Sequence, residues 1–143
     1  MCGRMSTPSG ARRAPVARAA ARYPRDMPST FDPNSLEVTP EQTQTALADD
    51  SAQVVDVRET HEWDAGRIDG ALHVGLNDLG ANAAKIDTDR PVVFYCLSGS
   101  RSAMAAQAFR SVGVDAYSMA GGMLRWQEEQ RPIAPEGGTV AAH

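Results

Sequence analysis

Residues 96–102 read Cys-Leu-Ser-Gly-Ser-Arg-Ser, and each residue type in the run can serve one piece of chemistry. Cys96 carries a thiol, a nucleophile once ionised. Gly99 and its small neighbours let the backbone curl so that successive N–H groups face a common centre, an anion-binding nest. A helix predicted to begin near Arg101 adds unpaired N–H groups and the positive end of its dipole. Arg101 sets a fixed positive charge at the rim, and the hydroxyls of Ser98, Ser100 and Ser102 can donate further hydrogen bonds. A thiol in that field is expected to ionise below the ~8.5 of free cysteine, and the cradle would also suit a persulfide anion. A core cysteine acting as a small hydrophobe is the bland alternative, but it would not require the Ser-Gly-Ser-Arg-Ser run that follows.

The loop must be held by its flanks. Pro91-Val92-Val93-Phe94-Tyr95 is an apolar, β-branched and aromatic run, predicted as a buried strand ending directly at Cys96. Arg101 to Val112 is predicted as the helix that leaves the loop, with Met104, Ala105, Ala108 and Phe109 on one side. Upstream, Leu36–Val38 makes a short strand, and Thr39 caps a helix to about Ala48, with Pro40 at its first position and Gln42 completing a capping box. Gln53–Val57 is a second buried strand, Glu59–Ala65 a short helix stopped by Gly66, and Ala71–Val74 a brief strand. Leu76–Ile86 is predicted as a helix weakened by Gly80, Val114–Met119 as the last strand, and Met123–Gln130 as a closing helix after Gly121-Gly122. Strands alternating with helices predict an α/β fold with a mostly parallel sheet covered on both faces. In such sheets function gathers at the carboxyl ends of strands, where Cys96 falls.

The 143 residues are enough for one domain, and no apolar run approaches the roughly 20 residues needed to cross a bilayer. Charge is uneven: residues 1–26 hold six arginines against Asp26 alone, whereas the whole chain carries a net −4. This head is rich in Ala, Pro, Ser and Gly, and residues 1–34 are expected to form a disordered basic tail. Arginines interrupt any secretory apolar core, while an organelle transit peptide fits the composition without being required by it. A dispensable tail, or an early start with Met27 as the true one, is the preferred reading. A nucleic-acid arm lacks an aromatic platform beside its arginines. Residues 132–143 are expected to form a C-terminal tail, leaving a domain over 35–131. Cys2 and Cys96 sit in very different surroundings, which argues against a disulfide framework and for a reducing, cytoplasmic setting. His61 and His73, twelve apart, lack companions at ligand spacing, so no metal site is expected.

The loop resembles the active-site signature of the rhodanese-like domain family, single-domain sulfurtransferases with Cys followed five positions later by Arg and Gly between. The likeness is collinear over about 36–130: Asp56-Val57-Arg58-Glu59 resembles the family's Asp-x-Arg segment. His61 through Ala71 resembles its Glu-(Phe/Tyr)-x-x-Gly-His-Ile-x-Gly-Ala stretch. Ala120-Gly121-Gly122 through Trp126 resembles its closing turn and helical Trp. Arg67 stands where His is usual and Asp69 where Pro is usual, with local packing the expected consequence. The resemblance implies a three-layer fold around a five-stranded sheet. It also implies Cys96 as persulfide carrier, residues 97–102 as the cradle, and Arg101 as an aid to an anionic donor. Asp56 and Arg58 are supporting residues, Arg58 chiefly as a structural brace. Thiosulfate and a thiol or cyanide are the implied donor and acceptor, with no cofactor, nucleic acid or membrane.

Two readings compete with this enzyme. Cysteine phosphatases and arsenate reductases resemble Cys-x-x-x-x-x-Arg, whereas four residues separate Cys96 from Arg101 here, a tighter cradle for sulfur than for a phosphoryl group. A non-catalytic rhodanese-like module often lacks the cysteine that this chain keeps. A persulfide relay serving a partner protein would carry the same loop as a free-standing enzyme.

Overall fold

Val92, Val93, Phe94 and Tyr95 form a strand buried on both faces, as a run without polar alternation requires. It is the central strand of a computed structural model that describes residues 31–141. In chain order the elements are β1 (Glu37–Val38), α1 (Pro40–Ala48), β2 (Gln53–Asp56), α2 (Thr60–Ala65), β3 (Leu72–His73), α3 (Leu79–Asn82), β4 (Val92–Tyr95), α4 (Ser100–Arg110), β5 (Ala116–Met119) and α5 (Gly122–Glu128). The five strands order as β1-β5-β4-β2-β3, every neighbouring pair parallel. The fold is α/β, with helices on both faces of the sheet.

The period of two along each strand divides the core. Val93 and Tyr95 face a cluster that includes Ala46 of α1 and Met123 and Trp126 of α5. Val92, Phe94 and Cys96 face the other side, with Leu79 of α3 and Ala105 and Ala106 of α4. Cys96 thus points toward the helix that its own loop starts. At the N-terminus of α1, the predicted capping box forms: Gln42 N–H donates to Thr39 Oγ1 and Thr39 N–H to Gln42 Oε1.

Three segments differ from their sequence-based expectations. The helix predicted over Leu76–Ile86 breaks into a 3-10 turn (Leu76–Asp78), the single turn α3 and a second 3-10 turn (Ala83–Lys85). Asn77, Asp78, Gly80 and Asn82 are poor helix formers, and the Asn82 side chain bonds the Asp78 carbonyl instead of leaving it to the helix. The segment expected as a tail from 132 runs back over the domain. Arg67 and Ala134 exchange two backbone hydrogen bonds, Thr139 N–H donates to the Ala65 carbonyl, and Ile133 and Val140 pack on the core. The apolar side chains of Ile133 and Val140 gain that burial, and Trp126 Nε1–H fixes the turn by donating to the Pro132 carbonyl. At the other end, Phe31 lies inside the core, edge-on to Tyr117, upstream of the boundary placed at 35. The basic head and the readings attached to it lie outside the described residues. No helix among the described residues is long and apolar enough to cross a membrane.

Candidate active site

Cys96 leaves the end of β4 fully buried, and the chain turns at once into α4. The turn passes through Gly99, whose φ of 112° lies in the left-handed region that side chains disfavour. That conformation turns the N–H of Gly99 onto Cys96 Sγ at 3.1 Å, and the first turn of α4 adds the N–H of Ser102 at 3.5 Å.

The loop's carbonyls must then face elsewhere, and α5 receives them. Met123 and Leu124 N–H groups donate to the carbonyls of Cys96 and Leu97 at 2.9 and 3.0 Å. Gly122 permits this approach: a methyl there would lie 2.5 Å from both carbonyl oxygens. The closing Gly-Gly turn of the sequence is therefore the clamp that leaves the loop's N–H groups free for the sulfur.

The three serines of the run separate. Ser98 and Ser100 are exposed, while Ser102 is fully buried, its Oγ 3.6 Å from Cys96 Sγ. Ser102 Oγ also lies 3.1 Å from the Gly99 carbonyl and 2.7 Å from Ser118 Oγ on β5. Burial pushes the Cys96 thiol up, but hydrogen bonds from the Ser102 hydroxyl and the N–H groups of Ser102, Gly99 and Arg101 outweigh it. The thiol is held below its ordinary value.

Arg101 does not stand free at the rim. Its guanidinium donates to both carboxylate oxygens of Glu62, each at 3.1 Å, and its side chain keeps 16% exposure. Glu62 comes from α2, is fully buried, and also accepts the Glu59 N–H at 2.9 Å. Burial pushes its carboxyl up; the bonds from Arg101 and Glu59 outweigh that and hold it below the usual range. The loop's cation is thus matched by a carboxylate, and the hydrogen bonds above, rather than free charge, lower the thiol.

Asp56 and Arg58 lie together beneath this pair, both fully buried. Arg58 donates its backbone N–H and Nε to Asp56 Oδ1 at 2.8 and 3.0 Å, and Nη2 to Asp56 Oδ2 and the Gly66 carbonyl, each at 2.7 Å. The arrangement ties the end of β2 to the end of α2, and so sets where Glu62 stands. Arg67, the departure from the family pattern, lies 4.9 Å over the Trp63 ring. Trp63 stacks on His73 on its own account, so the region is closed by packing.

Two contributors escaped the sequence reading. Glu62 was visible as the Glu of the stretch from His61 to Ala71 that resembles the family, with no role at the site assigned to it. Ser118 was visible as a hydroxyl inside an apolar strand, the kind of residue that needs a buried partner.

The sequence model of the rhodanese-like domain family matches residues 39–129. The chain belongs to that family. The Bacillus subtilis protein YqhL is 41% identical over 76 residues, which are 52% of this chain and 60% of YqhL. The Shewanella oneidensis protein named thiosulfate sulfurtransferase GlpE is 38% identical over 79 residues, 54% of this chain and 78% of that one. A rhodanese-related protein from Thermoplasma volcanium superposes with a TM-score of 0.64 at 23% identity, covering 68% of this chain and 96% of that one. This rhodanese-like domain thus spans less than two thirds of YqhL. Among the described residues no cluster of His, Cys, Asp and Glu could hold a metal ion.

Proposed function

We propose that this rhodanese-like domain is a sulfurtransferase in which Cys96 carries sulfur as a persulfide. The observation that carries the reading is a buried thiol at the focus of the Gly99 and Ser102 N–H groups, its ionisation eased by them. In the first half-reaction the Cys96 thiolate attacks the outer sulfur of thiosulfate. A sulfur–sulfur bond forms, the donor's own sulfur–sulfur bond breaks, and sulfite leaves with that electron pair. In the second, an acceptor such as cyanide or a thiolate takes the outer sulfur and returns Cys96 as thiolate. Both negative forms, thiolate and persulfide, sit among preorganised N–H donors. The likeness to GlpE supports thiosulfate as donor. Asp56 and Arg58 act as braces behind the site.

A second reading rests on one observation. Because Glu62 matches the charge of Arg101, the cradle offers little net attraction to a doubly charged donor. That favours sulfur arriving as a persulfide on a partner protein, a relay within the same chemistry.

Intact-protein mass spectrometry after incubation with thiosulfate, beside Cys96→Ser, tests the first reading. A gain of about 32 Da, removed by cyanide and absent from the variant, is the expected mark of a covalent persulfide. No gain with thiosulfate, but loading from a protein persulfide, would move the assignment to the relay.

A further inference from the structure

Ser118 belongs to none of the groups that touch the sulfur. It sits fully buried on β5, beside Phe94 in register, on the sheet face that Cys96 shares. Among the described residues its hydroxyl has one hydrogen-bond partner, Ser102 Oγ at 2.7 Å. We propose that Ser118 is a positioning residue: its hydroxyl donates to Ser102 Oγ and so keeps the Ser102 hydrogen available to Cys96 Sγ.

Counting hydrogens gives the direction. Ser102 has one hydrogen and three acceptors in reach: Ser118 Oγ, the Gly99 carbonyl and Cys96 Sγ. Were it spent on Ser118, the Ser118 hydrogen would be buried with no acceptor, and the sulfur would lose its hydroxyl donor. With Ser118 as donor every hydrogen is used. The Gly99 carbonyl accepts the Ala103 N–H at 3.0 Å and has a second lone pair for the Ser102 hydrogen, so that hydrogen divides between Gly99 and the sulfur according to the charge on Cys96. When Cys96 is a thiolate, the Ser102 hydrogen turns to the sulfur, and the O–H···O–H···S chain strengthens along its length. When Cys96 holds an outer sulfur, the inner atom no longer carries the charge and the hydrogen can return to Gly99.

The inference rests on Cys96 being the reacting group. Its thiolate is the nucleophile when sulfur is loaded and the leaving group when sulfur is passed on, so a pair that stabilises it serves both halves. The charges around the sulfur are otherwise balanced. Arg101 on α4 feels both Cys96 and Asp56, Glu62 from α2 answers Arg101, and Arg58 answers Asp56. On the face that Cys96 shares, strand β5 adds no charge, only this hydroxyl, while its Tyr117 packs on the opposite face.

The test is the pH dependence of Cys96 alkylation by iodoacetamide, which needs no sulfur donor and so separates this inference from the transfer reading. Ser118→Ala should raise the thiol pKa by roughly 0.5–1 unit, the size of one weakened hydrogen bond to the charged form. Ser102→Ala should raise it further, and Ser102→Ala/Ser118→Ala should match Ser102→Ala alone. Ser118→Thr, which keeps the hydroxyl, should restore the lower value. An unmoved pKa in Ser118→Ala, or additive shifts in the double variant, overturns the inference. Should Ser118→Ala be unstable, NMR of the unaltered protein answers the same question. The buried Ser118 hydroxyl proton should shift as Cys96 ionises, and one indifferent to that titration overturns it equally.

Discussion

Both carboxylate oxygens of Glu62 accept hydrogen bonds of 3.1 Å from the Arg101 guanidinium, joining α2 to the first turn of α4 across 39 positions of sequence. The two partners are unequal: Glu62 has no exposed surface, whereas Arg101 reaches water at one side. Removing one partner of a buried pair strands the other, so the deeper group decides the damage. Arg101→Ala leaves Glu62 charged and enclosed and should lower stability by about 3 kcal/mol. Glu62→Ala leaves an arginine that can turn outward and should lower it less. Urea unfolding at neutral pH orders the two; a larger loss in Glu62→Ala would mean that the carboxylate is better solvated than its position implies.

The same pair makes an acid-side prediction. The Glu62 carboxyl is held below its ordinary value of 4.5, so its contribution is complete above that value and is lost as pH falls through the folded-state pKa. Stability should decline below about pH 4.5 more steeply in the unaltered protein than in Glu62→Gln, which has no proton to take up at that site. Thermal melts between pH 3 and 7 measure the difference, and parallel curves would remove Glu62 from the titration.

Two glycines of the loop clamp should respond differently to a methyl group. At Gly122 the new carbon would meet the carbonyl oxygens of Cys96 and Leu97 at 2.5 Å, at a φ of 57°. Backbone atoms cannot give way cheaply, so Gly122→Ala should lose roughly 3 kcal/mol or more and slow Cys96 alkylation as the loop shifts. At Gly99 the nearest atoms stand 3.7 and 3.8 Å away, and only the φ of 112° is strained. Gly99→Ala should lose about 1–3 kcal/mol. Equilibrium unfolding of both variants checks the order.

The route from β4 through Cys96 to α4 was legible in sequence because its signals are local: an apolar run, a glycine-bearing turn and a helix start, each within a few residues. Arg101 was legible as a residue but not as half of a pair, since nothing local connects it to Glu62. The charge that looked available for an anion is matched by one that only the fold brings near. Ser98, Ser100 and Ser102 looked alike in sequence, and only helical geometry turns Ser102 inward while the other two face water. Leu76–Ile86 misled for the opposite reason. Its apolar spacing suits a helix, but its Asn, Asp and Gly content lets short turns replace one. Ile133 and Val140 followed a proline and a glycine pair, and so read as tail although their side chains reach the core.

Arg58 separates bracing from chemistry. Its guanidinium holds Asp56 and the Gly66 carbonyl, and it touches neither Cys96 nor the loop that follows. Arg58→Ala should lower stability by roughly 3–5 kcal/mol, because the Asp56 carboxylate is left buried without its partner. At a temperature where the variant remains folded, sulfur loading of Cys96 should stay within about threefold of the unaltered protein, a change under 1 kcal/mol in barrier. Loading measured by mass spectrometry decides the point, and a far larger loss would place Arg58 in the reaction.

Cys96 itself gives the last contrast. Serine is nearly the same size and keeps a polar atom at the centre of the cradle, so Cys96→Ser should fold and should take up no sulfur. The pH dependence of stability then isolates the thiol. A folded-state pKa below the ordinary cysteine value adds stability that is complete above that value and is lost as pH falls through the folded-state pKa. The unaltered protein should therefore gain on Cys96→Ser as pH is raised from 7 to about 10, while a buried thiol without donors would lose ground over the same range. The sign of that difference, read from urea midpoints at each pH, states whether the Gly99 and Ser102 donors or the burial of the sulfur wins at this site.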